Sequence, residues 1–344
     1  MIQTTELDVN LLMARFYEKD FKFSYSSMSK LITAPKIFYN DYILKQREEV
    51  VKKYLLEGII IHYLVLENEG FNDKFIVASD KLPGENNMLV AEKVFKFYEL
   101  KNDNALELID FRQEILDTLI DMNLHQSLKD TKDGLGDDKR IGKIVEPKTE
   151  EYFEFLKQRG SKTIIDSALL DKCTLRADIV KADPYMRELL GLDLENDGAA
   201  YGIYNELEVD MDLEDLPYGL KGIIDNLVVD VKNKTVRIND FKTTSKSLTQ
   251  FSESVEVWNY WLQAVVYEKL VKSFLESVLN PSWKIEFRFI VFDKYDQLYA
   301  FEVTETTMAA WNEKFYKVLN DVNYHYNSKD YTLPADFIKR NVKL

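Results

Sequence analysis

Cysteine is almost absent: Cys173 is the only one among 344 residues. An internal disulfide is excluded, as are a structural zinc site built from several cysteines and an iron-sulfur cluster on four. Glycine and proline are scarce as well, at 12 and 7, which leaves little chain for flexible linkers. No apolar run reaches the ~18 residues that would mark a membrane-spanning helix. The start, MIQTTELDVN, has neither a basic segment nor an apolar signal core, so the expected location is the cytoplasm, with no membrane partner. Basic excess is missing too. A net charge of −14 argues against a protein that coats nucleic acid non-specifically, because phosphate binding draws on clustered Lys and Arg. It leaves room for a local basic lining around an acidic site, since net charge does not report distribution.

What is present describes a folded chain, 46% hydrophobic and 30% charged. The first third has helical spacing. In the run from Ser24 to Pro35, serines offer N-caps and Met28, Leu31 and Ile32 recur at helical intervals before Pro35 ends the pattern. Residues 52–67 read as a strongly apolar helix carrying His62, and residues 89–124 as two further amphipathic helices. The polar stretch 129–148, with Gly134, Gly136 and Gly142, reads as a mobile loop. From Tyr201 the period changes to alternation, the mark of strands. Three strands follow in residues 202–213, 219–231 and 234–243, the last two joined by a turn at 231–234. A helix is expected over 255–277, two more strands over 283–292 and 298–304 around a turn at 293–297, and a closing helix over 307–326. The expected fold is α/β: a small mixed central sheet flanked by helices, with N-terminal helical additions. Residues 1–200 form a mainly helical region and 201–344 the core, together one integrated domain.

The chemistry concentrates in the strands. Asp225 stands among Ile223, Ile224, Leu227, Val228 and Val229, where a carboxylate is costly unless it is paired. On the next strand Asp240 and Lys242 are two residues apart and share a face. A hairpin between these strands brings Asp225 near Asp240, and a divalent cation relieves the repulsion between two such carboxylates. Magnesium suits the oxygen donors, with manganese an alternative, and the Phe241 carbonyl offers a further ligand. Asp-x-Lys alone says little, because it recurs at 20–22, 130–132, 137–139 and 230–232. The copy at 240–242 is distinguished by its alternating strand and by what surrounds it.

Gly222-Ile223-Ile224-Asp225, Asp240-Phe241-Lys242-Thr243 and Tyr260-x-x-Gln263-x-x-x-Tyr267 together resemble the RecB/RecE-like branch of the PD-(D/E)xK nucleases. Gly58-x-x-x-His62 resembles the helix whose histidine reaches the metal in that branch. The resemblance implies a restriction-endonuclease-like core in which His62, Asp225 and Asp240 bind metal. It further implies that Lys242 is catalytic and that Gln263 and Tyr267, four apart on one helical face, line the site. An acid on the preceding strand is also implied, and Glu206 and Glu208 are both candidates. The function implied is a metal-dependent DNA exonuclease, phage-encoded, acting in recombination, replication or DNA turnover. A homo-oligomer and a single-strand annealing or recombination partner protein are compatible with it. The rival is a non-catalytic nucleic-acid-binding accessory protein that keeps the fold, whose mark would be erosion of these acids or of the lysine. The aromatic stripe Trp258, Trp261 and Tyr267 reads as core packing.

Overall fold

The computed structural model describes residues 6–17, 21–46, 53–78, 82–101, 103–129, 133–160, 162–194, 200–277, 279–280 and 282–342. The described residues form eight strands: β1 (Phe21–Phe23), β2 (Phe75–Val77), β3 (Thr163–Ile165), β4 (Tyr201–Asp212), β5 (Tyr218–Asp230), β6 (Thr235–Thr243), β7 (Lys284–Phe292) and β8 (Leu298–Val303). The chain divides into two compact units, one of residues 68–175 and one of residues 1–67 with 176–344. The helix Ser167–Ala182 contains the later boundary.

The larger unit is built on a six-stranded mixed sheet. β5 is its axis. β4 runs antiparallel along the whole of one edge of β5, from Tyr201 opposite Asp230 to Asp212 opposite Gly219. The other edge is shared. β1 pairs in parallel with Tyr218–Leu220, and β6 pairs antiparallel with Asn226–Asp230. Between those stretches, residues 221–225 of β5 have no strand partner on that edge among the described residues. The sheet continues through β7, parallel to β6, and β8, antiparallel to β7. The parallel β6–β7 connection requires a crossover, supplied by the helices Phe251–Val257 and Tyr260–Phe274. The second of these is apolar on most of its surface because it is the core of the unit: Trp261, Leu262, Val265, Val266, Leu270 and Val271 are buried with Leu220, Ile224, Val236, Phe287 and Phe289 of the sheet.

The smaller unit packs the helices Glu85–Lys101, Arg112–Asp121, Gly136–Ile144 and Pro147–Arg159 around Val94, Phe111, Ile115, Leu119, Ile141 and Phe153. It also holds the parallel pair β2–β3.

The α/β class and the five strands from residue 201 onward match the expectation from the sequence. Other expectations need correction. The stretch 129–148 is mostly helical rather than a loop: Gly136–Ile144 forms a helix because Arg140, Ile141 and Ile144 are buried at helical spacing, which outweighs the weak propensity of its glycines. Residues 130–132 lie outside the described residues. The single helix expected over 255–277 is two, separated at Trp258 and Asn259, where Asn259 takes a left-handed φ of 55°. That break turns Trp258 outward, 57% exposed, while Trp261 and Tyr267 are buried as expected. The apolar helix expected over 52–67 runs from Lys53 to Leu66, and Lys52 lies outside the described residues.

Candidate active site

β5 and β6 part beyond the pair Asn226 and Asn239, and the acids stand at this fork. Asp225 fills the first missing rung with its side chain: Oδ2 accepts the Phe241 amide at 2.8 Å. The carboxylate thereby takes the place of a backbone partner, which fixes its direction and satisfies a donor the diverging ladder would leave open.

Opposite Asp225 on β4 stands Glu206. The pairs Asn205 with Asn226 and Leu207 with Ile224 place it in register with Asp225, yet the two are not a regular pair. Glu206 has φ 47°, in the left-handed region that disfavours a side chain with a Cβ. This kink re-aims the side chain, and strained backbone of this kind is concentrated where function holds it. Glu206 Oε1 lies 2.6 Å from His62 Nδ1. His62 Nε2 meets the Asp225 carbonyl at 3.3 Å, and its ring stands edge-on to Phe241. One ligand atom from each of His62, Glu206 and Asp225 lies within 4.8 Å of the others. Glu208, the other candidate on β4, is exposed, pairs with Ile223 and stays outside this group.

Asp240 is fully buried. One oxygen accepts from Gln263 Nε2 at 2.7 Å and the other pairs with the Lys242 ammonium. Lys242 Nζ also reaches the Phe241 carbonyl at 3.4 Å and lies 5.0 Å from the centre of the Tyr260 ring. Burial pushes the Asp240 carboxyl up to about 7, an effect that Lys242 opposes and the charge of Asp225 reinforces. Burial would lower the Lys242 ammonium, but Asp240, Asp225 and Tyr260 outweigh it and hold it above the ordinary lysine value. His62 follows the same logic: burial would lower it, and Glu206 and Asp225 raise it above the ordinary imidazole value. Burial holds the Tyr267 hydroxyl well above the usual phenol range, with Asp240 and Asp225 adding to it.

Two motif glycines differ in what they do. A Cβ on Gly222 would come within 2.9 Å of Tyr267 Cε1 and 3.0 Å of Leu270 Cδ1, so Gly222 is what lets the Gln263–Tyr267 helix lie against β5. Gly58 is less constrained, since the nearest atom to its Cβ would be Thr243 Oγ1 at an ordinary 3.8 Å.

Sequence reasoning quoted Tyr260 within its motif and Tyr25 within the run from Ser24 to Pro35 but gave neither side chain a role. Tyr25 donates to the Trp258 carbonyl at 2.6 Å, and with Ser24, Ser26, Glu208, Lys221, Ile223 and Tyr267 it lines a groove of about 590 Å³ along the unpaired stretch of β5. Tyr260 opens the Tyr-x-x-Gln motif, and its ring against Lys242 gives that position a reason.

The donors fit a divalent cation: an imidazole, two partly exposed carboxylates and a third, fully buried one whose ionisation burial opposes. The profile of the PD-(D/E)XK nuclease superfamily matches residues 123–328, more than half of the chain. The protein belongs to that superfamily, whose nucleases use divalent metals. No curated protein matches the chain. Among solved structures, a candidate exonuclease from Eubacterium rectale is similar at a TM-score of 0.47 and 12% identity, over 100% of this chain and 95% of that one. No helix among the described residues is long and apolar enough to cross a membrane.

Proposed function

We propose that this protein is a divalent-metal-dependent deoxyribonuclease, an exonuclease on linear DNA, with its active site at the fork between β5 and β6. The observation that carries the reading is the meeting of His62, Glu206 and Asp225 beside the buried Asp240–Lys242 pair. The nuclease reading follows from the superfamily. The finer ones, exonuclease, the RecB/RecE-like branch, phage origin, a role in recombination or DNA turnover and a homo-oligomeric state, rest on the resemblance of the motifs.

His62, Glu206, Asp225 and Asp240, with the Phe241 carbonyl, would hold magnesium or manganese, which supplies positive charge to the scissile phosphate and makes its bound water more acidic. Lys242, kept protonated by its acidic neighbours, donates to the attacking water and to the oxygens that gain charge at phosphorus. Asp240 fixes the ammonium, and Gln263 fixes Asp240 by occupying its other oxygen. Tyr260 covers the lysine from the helix side. Glu206 and Glu208 are thus given different roles: Glu206 a ligand, Glu208 a wall of the groove.

The test is digestion of end-labelled linear and closed-circular DNA by the full chain with magnesium, with manganese and with chelator, alongside Asp240→Ala. The proposal expects metal-dependent loss of linear DNA alone, absent in the variant. Cutting of circles would make the protein an endonuclease, and DNA binding without cleavage in either metal would favour the non-catalytic accessory reading.

A further inference from the structure

One row of the sheet next to the acids carries three consecutive asparagines before it continues to Arg288 and Glu302. Asn205 on β4, Asn226 on β5 and Asn239 on β6 are direct cross-strand partners, and each adjoins a site acid: Glu206 follows Asn205, Asp225 precedes Asn226, and Asp240 follows Asn239. Three small polar side chains in the middle of a sheet are unfavourable by strand propensity, and Asn226 and Asn239 are fully buried. Their amides are spent in a directed chain. Asn239 Nδ2 donates to Asn226 Oδ1 at 2.8 Å, Asn226 Nδ2 donates to Asn205 Oδ1 at 2.8 Å, and Asn205 Nδ2 donates to the Leu66 carbonyl at 3.1 Å. On the way, Asn239 also donates to the Leu189 carbonyl at 3.0 Å and Asn226 to that of Leu190 at 3.3 Å.

The acceptors are not arbitrary. Leu66 ends the helix that carries His62, and Leu189 and Leu190 end the helix Pro184–Leu190. The last carbonyls of a helix have no partner within it and carry the negative end of its dipole, so they take donors readily. The row therefore ties three strands and two helix ends in one network. Neighbouring residues on a strand point to opposite faces, so Asn239 bonds toward the helix Pro184–Leu190 while Asp240 is held by Gln263 on the crossover helix Tyr260–Phe274.

We infer that Asn205, Asn226 and Asn239 are positioning residues for the acid site. They hold the register that aligns Glu206, Asp225 and Asp240, and they anchor the His62 helix to that register through Leu66. None of the three touches the ligand atoms. Their effect is on how closely those atoms converge; groups bonded directly to metal ligands typically change affinity by ~10–100-fold, and a support one strand position removed belongs at the lower end of that range. The inference rests on the reading of this site as a metal centre.

The experiment uses the full chain without DNA, titrated with manganese in a calorimeter, and then kcat and KM on linear DNA. Asn226→Leu keeps the volume and removes the central link. Asn239→Ala removes only the end of the row and serves should Asn226→Leu not fold. Val322→Ala, buried in the helix Glu305–Ser328, is a packing control for lost stability. The expected result is manganese affinity about tenfold weaker in the asparagine variants, with kcat reduced, KM for DNA unchanged and the control like wild type. Wild-type affinity and kcat in Asn239→Ala and Asn226→Leu would overturn the inference and leave the metal site standing, as would an equal loss in the control. A wild-type protein that binds no manganese would overturn the metal reading and this inference with it.

Discussion

The left-handed backbone at Glu206 gives a stability prediction with an unusual sign. Removing the carboxylate by Glu206→Ala and by Glu206→Gly deletes the same bond to His62. The two variants differ only in what the backbone demands. An L-residue in the left-handed region costs roughly 1–2 kcal/mol, a penalty alanine keeps and glycine escapes. Glycine in a strand is otherwise about 0.5–1 kcal/mol worse than alanine through its greater freedom when unfolded. The strain outweighs that entropy, so Glu206→Gly should be the more stable of the pair by about 0.5–1 kcal/mol. Urea unfolding of both, with Tm as a second reading, measures the difference, and both should lose metal-dependent cleavage together. Alanine equal to or more stable than glycine would refute the claim that Glu206 is held in strained backbone for its site.

Two further outcomes follow from the packing. Gly222→Ala drives a methyl into Tyr267 and Leu270 and should cost about 1–3 kcal/mol, with a fall in kcat because Tyr267 and its helix must move; unchanged stability in urea would contradict the contact. His325 is fully buried, and its pKa is lowered from 6.5 by burial, against the opposing pull of the Asp330 carbonyl, which its Nδ1 meets at 2.6 Å. A group depressed in the folded state binds its proton more readily when unfolded, so its contribution is full above pH 6.5 and is lost as pH falls from there through the folded value. Wild-type Tm should therefore drop between pH 7 and 5.5 more than that of His325→Gln, and parallel curves would exclude this histidine as the cause.

Much of the fold was legible because its main strands are long and bounded by turn residues. β4 to β8 each run six or more residues, and the turns at 231–234 and 293–297 separate β5 from β6 and β7 from β8. β1, β2 and β3 are three residues long, too short for any period to show. The break at Asn259 was hidden because its flanks both have helical spacing, and the turn depends on tertiary bonds such as Asn259 Nδ2 to Ser29 at 3.0 Å. At the site, the motifs located the acids, but alternation put Glu206 and Glu208 on one face. Only the kink at Glu206 separates them, and a dihedral leaves no trace in residue type. The recurrences of Asp-x-Lys show the same point from the other side. Asp230 serves the turn, accepting from the Asn233 amide at 2.9 Å, while Asp20 and residues 130–132 lie outside the described residues. The asparagine row was missed because three isolated Asn codes carry no pattern until strand register aligns them.

The central claim is that Lys242 performs chemistry at an acidic metal site rather than merely neutralising Asp240. The direct measurement is the single-turnover cleavage rate of end-labelled linear DNA by Lys242→Met in saturating manganese, with manganese binding followed in parallel. The account predicts a rate at least about a hundredfold lower with metal still bound. Cleavage at the wild-type rate would contradict it.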